Sequence, residues 1–297
     1  MASGEAVLVF RPGALGDTLL TVPALRGLRR TYPNAEIELV GHRDAGKLLV
    51  AQGIVDRARA FDDLTVLPLF FDPPRIPPDW QGAKLVVLWM ADSDRQASAF
   101  RTAGAGQVVA CSPTSRDGGV HTAQHLVATL AEAGVAPVSG EELEGFSAQA
   151  GGQELARRVV IHPGSGAPAK NWPLENFAEV AGEIADAGWQ VALVEGPADA
   201  EAVSRVRAAL GAGRVEVVRP PSIGDLAKLL EGAALYVGND SGVSHLAGLV
   251  GIRTLTIFGA TDPRVWSPLG PWVRILGEKN RWPSVEEVRR TATDWRG

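Results

Sequence analysis

The apolar residues of this 297-residue chain fall in short runs. Most runs end on a small, polar, glycine-containing turn that leads into a stretch of helical period. Ala6–Phe10 is the first such run; after its turn, Leu19, Leu20, Val22, Leu25 and Leu28 predict a helix over Asp17–Arg30. Glu36–Val40, Ala58–Phe61, Leu85–Trp89 and Gln107–Ala110 read as further strands, and Thr122–Ala133 as a helix. The pattern then starts again. Strands are expected at Val159–His162, Gln190–Val194, Val215–Val218, Leu235–Val237 and Thr254–Phe258, with helices at Leu174–Ala187, Ala198–Leu210, Ile223–Glu231 and Val243–Val250. Ser284 followed by Glu287 is a capping-box signal for a last helix reaching Asp294. Strands alternating with helices specify an α/β protein whose parallel sheets are covered on both faces.

The length suits two domains better than one core. Ser139–Gly152 is polar and lacks a period, so it marks the boundary between a domain over 1–150 and a second over 151–282, with 283–297 as a C-terminal segment. The longest strongly apolar stretch, Leu85–Ala91, is far shorter than the roughly 20 residues that span a bilayer. No basic region precedes Val7–Phe10, so the chain reads as cytoplasmic. The single cysteine, Cys111, has no partner for a disulfide or a zinc ribbon. Net charge is -5, and residues 1–150 hold 13 Lys and Arg against 17 Asp and Glu. The basic residues form no stripe, which argues against nucleic acid and against strong membrane binding.

In open α/β sheets ligands bind beyond the carboxyl ends of the strands. After the first strand, Arg11-Pro12-Gly13-Ala14-Leu15-Gly16-Asp17 places a carboxylate at a helix start, where the macrodipole favours it, behind two glycines. The same pattern also reads as an ordinary N-cap. It is not G-x-G-x-x-G, and Val40-Gly41-His42 supplies no acid for a ribose, which argues against a nicotinamide dehydrogenase. After Val159–His162, the small residues and free amides around Ser165 and Gly166, with Lys170 just before a helix, form a candidate diphosphate cradle; a loop with one solvated lysine is the bland alternative. After Leu235–Val237, Asp240, Ser241, Gly242 and His245 crowd a strand-to-helix turn, either to meet a ligand or as a self-contained cap network. Phe258-Gly259-Ala260-Thr261-Asp262-Pro263 is another small polar turn on that edge, and Asp199 lies on a further strand-end loop. Asp92-Ser93-Asp94 matches a D-x-D metal signature but also a solvated turn. His121 and His125 share an i, i+4 spacing without the Glu of H-E-x-x-H.

RPGALGD, HPGSGAPAKNWP, GNDSGVSHLAG and FGATDP, in this order, resemble the successive signatures of glycosyltransferase family 9, the bacterial ADP-heptose heptosyltransferases. The resemblance implies a GT-B fold of two facing Rossmann-like domains, the first holding the acceptor and the second the donor, with the C-terminal helix crossing back to the N-terminal domain. It implies an inverting, metal-independent transfer of heptose from ADP-heptose to a hydroxyl of a lipopolysaccharide inner core or of a soluble acceptor. Asp17 would be the general base and Lys170 would stabilise the departing ADP. Gly16, Ser165, Gly166, Asp199, Asp240, Ser241, Gly242 and His245 would hold the donor. No cofactor, metal or nucleic acid is expected, and membrane contact is at most peripheral. The acidic balance of residues 1–150 suits a cationic, aminocyclitol-type acceptor, unless Arg26, Arg29 and Arg30 form a basic patch. A GT-B-like sugar-nucleotide epimerase or hydrolase, or a non-catalytic binding module, would use the same donor loops.

Overall fold

The computed structural model describes residues 6–136, 156–211 and 213–296. The chain divides into two compact units, Met1–Glu142 and Leu143–Gly297. The Ser139–Gly152 boundary expected from composition lies outside the described residues.

The first unit runs β1 (Val7–Arg11), α1 (Leu15–Leu19), α2 (Val22–Thr31), β2 (Ile37–Gly41), α3 (Arg43–Ala51), β3 (Arg57–Ala60), β4 (Leu85–Trp89), α4 (Asp94–Thr102), β5 (Gln107–Cys111) and α5 (Thr122–Thr129). Its five strands are parallel in the order β3-β2-β1-β4-β5. Central strands of a sheet covered on both faces need apolar side chains in both directions, and every residue of β1 and β4 is buried. Phe10 packs edge-on to Trp80 at 5.0 Å and tilted on Phe100 at 5.6 Å, in a core with Leu8, Val86 and Leu88. The helix expected over Asp17–Arg30 is broken at Leu20–Thr21. Pro23 is the reason: it lacks an amide hydrogen and clashes inside a helix, but it fits the first turn of α2, where the structure puts it.

The second unit runs β6 (Ala156–His162), α6 (Leu174–Asp186), β7 (Gln190–Val194), α7 (Ala200–Leu210), β8 (Glu216–Val218), α8 (Ile223–Glu231), β9 (Ala233–Asn239), α9 (Gly242–Val250), β10 (Thr254–Ile257), α10 (Pro263–Trp266), β11 (Val273–Leu276) and α11 (Val285–Arg296). Its sheet, β11-β10-β9-β6-β7-β8, is parallel throughout. Counted within the unit this is the 3-2-1-4-5-6 order of a Rossmann sheet, whose direction of winding reverses between β6 and β9. All seven residues of β9 are buried, including the polar Asn239.

The capping box that opens α11 forms as expected. Ser284 N and Oγ donate to Glu287 Oε2 at 2.8 and 2.9 Å, and Glu287 N returns a bond to Ser284 Oγ at 3.2 Å. Val288 and Ala292 are buried in the core of the second unit with Phe177, Ile184 and Val237, and Trp172 Nε1 donates to Pro283 O at 3.1 Å. Val288 and Ala292 thus tie α11 to the second core.

Candidate functional site

The carboxyl ends of β6 and β9 sit side by side at the reversal of the second sheet, so the loops after them are brought together although 70 residues separate their key side chains. Lys170 Nζ donates to Asp240 Oδ2 at 2.8 Å, and Thr261 Oγ1, from the loop after β10, donates to the same oxygen at 2.7 Å. His245 Nε2, in the first turn of α9, stands 3.9 Å from Asp240 Oδ1. Burial pushes the Asp240 carboxyl up, but His245, Lys170 and Thr261 outweigh it and hold the group down at about 2. The result is an ionised, buried carboxylate that orients a one-third-exposed ammonium.

The loop carrying Lys170 is tied to β9 by Asn239, a residue outside the set that the loop motifs single out. Asn239 Oδ1 accepts from Trp172 N at 2.8 Å, and its Nδ2 donates to Pro163 O at 2.9 Å and Gly164 O at 3.3 Å. Ser165 Oγ lies 2.6 Å from Ala167 O and 2.7 Å from Asn171 Oδ1, so this expected donor contact braces its own loop. Gly166 has open space on the side where a Cβ would stand. A fully buried polar residue closing an apolar strand is the signal that marks Asn239.

Ser241 is the N-cap residue of α9, yet its side chain makes no bond to the helix amides, and Gly242 is the first helical residue. Within the turn, Ser244 Oγ donates to Asn239 O, and Ser241 Oγ lies 3.5 Å from Ser244 Oγ. Ser241 Oγ faces His162 Nδ1 at 3.3 Å, and His162 Nε2 is 2.8 Å from Asp199 Oδ2, which also accepts from Gly196 N at 3.1 Å. His162 is a second residue that the loop motifs leave without a role. Burial raises the Asp199 carboxyl, and the bonds from His162 and Gly196 lower it, with a net shift downward.

In the first unit Asp17 is not the N-cap of α1; Ala14 is, and Asp17 stands in the first turn. Its Oδ2 accepts from Ala14 N at 2.8 Å and its Oδ1 from Arg11 Nη2 at 2.8 Å. Gly13 has φ +143°, and a Cβ there would stand 2.7 Å from Asp17 Oδ2, so only glycine lets the carboxylate fold over the loop. Gly16 is buried inside α1. Burial lowers the Arg11 guanidinium, partly offset by Asp17.

The remaining candidates lie elsewhere in the first unit. His121 Nδ1 accepts from Ala123 N at 3.3 Å at the start of α5, and His125 Nε2 meets Ser112 O at 2.9 Å. Asp94 lies in the first turn of α4, and Asp92 adopts a positive φ of 51°. Arg29 of the possible basic patch is committed to Asp56 and to Ala35 O. Among the described residues no group of three or more His, Cys, Asp or Glu could hold a metal ion, and no helix is long and apolar enough to cross a membrane.

Residues 108–294 match the model of glycosyltransferase family 9 (heptosyltransferase). Lipopolysaccharide heptosyltransferase 1 of Pseudomonas aeruginosa is 36% identical over 135 residues, 46% of this chain and 37% of that protein. Its Escherichia coli K12 counterpart is 37% identical over 95 residues, 32% of this chain and 29% of that protein, so the matches span about a third of these relatives. An E. coli lipopolysaccharide heptosyltransferase 3 is 25% identical over 291 residues, 85% of this chain and 83% of that one. Among solved structures, E. coli heptosyltransferase WaaC with ADP is similar at a TM-score of 0.72 and 18% identity, covering 97% of this chain and 99% of that chain. E. coli heptosyltransferase II is similar at 0.72 and 17%, covering 98% of each. The likeness is one of fold, the GT-B type with two parallel-sheet domains.

Proposed function

The chain belongs to glycosyltransferase family 9, the heptosyltransferases, and on that premise we propose that it moves a heptose from ADP-heptose to an acceptor hydroxyl, with inversion at the anomeric carbon. The observation that carries this reading is Lys170 seated on Asp240 at the winding reversal of a Rossmann sheet, beside the start of α9. An ammonium has three N–H donors. One is committed to Asp240, which leaves two for the oxygens of a diphosphate. The Gly242 amide and the Ser241 hydroxyl supply further donors where the macrodipole favours an anion. The names of the relatives, lipopolysaccharide heptosyltransferases, and the ADP of the WaaC structure support the same donor.

In the transfer, the acceptor oxygen forms a bond to the anomeric carbon as the bond to the ADP oxygen breaks. The acceptor proton passes to Asp17, whose two oxygens are held in one orientation by Arg11 and the Ala14 amide. The electron pair leaves with ADP, and the charge that grows on its phosphate is met by Lys170 and the α9 amides, so the proposed mechanism uses no metal. Asp240, Thr261 and Asn239 act by holding Lys170 and its loop in place. For the acceptor, the acidic balance of residues 1–150 and the engagement of Arg29 with Asp56 favour a cationic, aminocyclitol-type molecule over an anionic lipid core.

The test is to incubate the protein with ADP-heptose and, in separate reactions, a deep-truncated lipopolysaccharide core or an aminocyclitol, and to measure the mass of each acceptor. A gain of one heptose on the aminocyclitol is the expected result. Gain on the core alone overturns the cationic acceptor, and consumption of the donor with neither acceptor modified overturns transfer itself. Asp17→Asn should abolish the gain, by about 100-fold or more, while ADP still binds.

A further inference from the structure

We propose that His162, held by Asp199, is a positioning residue that fixes the Ser241 hydroxyl in place beside the donor diphosphate. The inference rests on the reading of Ser241 as a diphosphate contact.

Three local concessions converge on one contact. A histidine closes the apolar strand β6 with 3% of its surface exposed, although a buried ring with two polar atoms must find two partners. Asp199 occupies the N-cap position of α7 but makes no cap hydrogen bond; its carboxylate turns instead to His162 and to the Gly196 amide. Gly164 is required beside it, because a Cβ there would collide with the Asp199 carboxylate. An aspartate at a helix start ordinarily stabilises by about 1 kcal/mol as a cap. This one gives up that bond in order to hold the imidazole.

Hydrogen accounting then fixes what the imidazole does. A carboxylate only accepts, so His162 Nε2 carries a proton and Nδ1 is the ring atom left for Ser241 Oγ. Ser244 donates its own proton to Asn239 O, and therefore accepts from Tyr236 OH at 3.0 Å and has only lone pairs to offer Ser241 at 3.5 Å. Nδ1, at 3.3 Å, is the nearer of the two contacts that hold Ser241 Oγ. Whichever of Nδ1 and Oγ carries the shared proton, the contact fixes where Ser241 Oγ stands. Asp199 holds the ring, and the ring holds the Ser241 hydroxyl in place.

A double-mutant cycle read by calorimetric titration with ADP tests this, with thermal unfolding of each variant alongside. Ser241→Ala and His162→Gln should each weaken ADP by about tenfold, and the double variant by about tenfold as well, because His162 acts through Ser241. His162→Gln should still lower the unfolding temperature in the Ser241→Ala background, which separates the positioning role from a structural one. Independent losses, about 100-fold in the double variant, would overturn the proposal, as would an unchanged affinity in His162→Gln. If His162→Gln does not fold, Asp199→Asn takes its place in the same cycle with the same criteria. Absence of ADP binding by the unsubstituted protein overturns the donor reading itself, and is thereby distinguished from an additive cycle.

Discussion

Lys170 and Asp240 meet at 2.8 Å because β6 and β9 are neighbours in the sheet, although β7 and β8 intervene in the chain. Asp240 is almost wholly buried and Lys170 about one-third exposed, so the pair is a fixed anion beneath an accessible cation. Lys170→Met should weaken ADP by roughly 10- to 100-fold, the usual range for a lost hydrogen bond to a charged group. Titration calorimetry measures it, and an unchanged affinity would remove Lys170 from the donor site.

The same pair gives the fold a pH dependence of known sign. The Asp240 carboxyl lies at about 2 in the folded state against 3.8 ordinarily, so its contribution is fully present above the unfolded value and is lost as pH falls through about 2. The shift corresponds to about 2 kcal/mol. Urea unfolding of the protein and of Asp240→Asn between pH 5 and pH 2 should show the stability difference between them shrinking by about that amount toward the acid end. A constant difference would mean that Asp240 is not held ionised by its neighbours.

Asn239→Ala leaves Trp172 N and Pro163 O without their partner, in a buried setting. Each such group costs about 1–3 kcal/mol. The expected outcome is a loss of stability in that range or above, together with weaker ADP binding, since the loop that carries Lys170 is released. Asn239→Asp should be worse, because it buries a carboxylate with one oxygen set against the carbonyl oxygens of Pro163 and Gly164.

Gly13→Ala tests the first unit. The new Cβ meets Asp17 Oδ2 at 2.7 Å and the backbone is held at φ +143°, so the carboxylate must leave the Ala14 amide. Transfer should fall by about 100-fold, as for a displaced general base, while ADP affinity is unchanged. Equal loss of ADP affinity would count against separate roles for the two units.

Ser284→Ala serves as a contrast. It removes the capping box of α11, which should lower stability by about 1 kcal/mol in urea and leave the affinity for ADP unchanged.

Strand periodicity and turn chemistry are local properties, and the strands β1, β4, β7 and β10 lie within a residue of where those patterns place them. The short helix α3, helix α4 and the edge strand β11 were not legible. β11 alternates only briefly, with Arg274 exposed in its middle, so its place at the sheet edge comes from pairing with β10. Pro23 was visible, but its effect as a break between α1 and α2 depends on the first turn into which the structure fits it. Of the candidate site, the four chemistry-bearing loops were readable because small polar residues directly after an apolar run mark a strand-end turn, where backbone amides stay free to meet a ligand. His162 and Asn239 gave little sign, being single polar residues at the ends of apolar strands, where a core partner would serve equally well.

By itself, then, the amino-acid sequence determined the alternation of strands and helices, the loops that bear charge and amide donors, and the cap of the last helix, all set by contacts within a few residues. Tertiary structure alone decided the pairings: Lys170 with Asp240, Asp199 with His162 instead of the amides of α7, and Val288 and Ala292 with the second core. Hydrogen bonds act over about 3 Å, so which groups bond across 37 or 70 residues depends on which strand ends the sheet order makes neighbours.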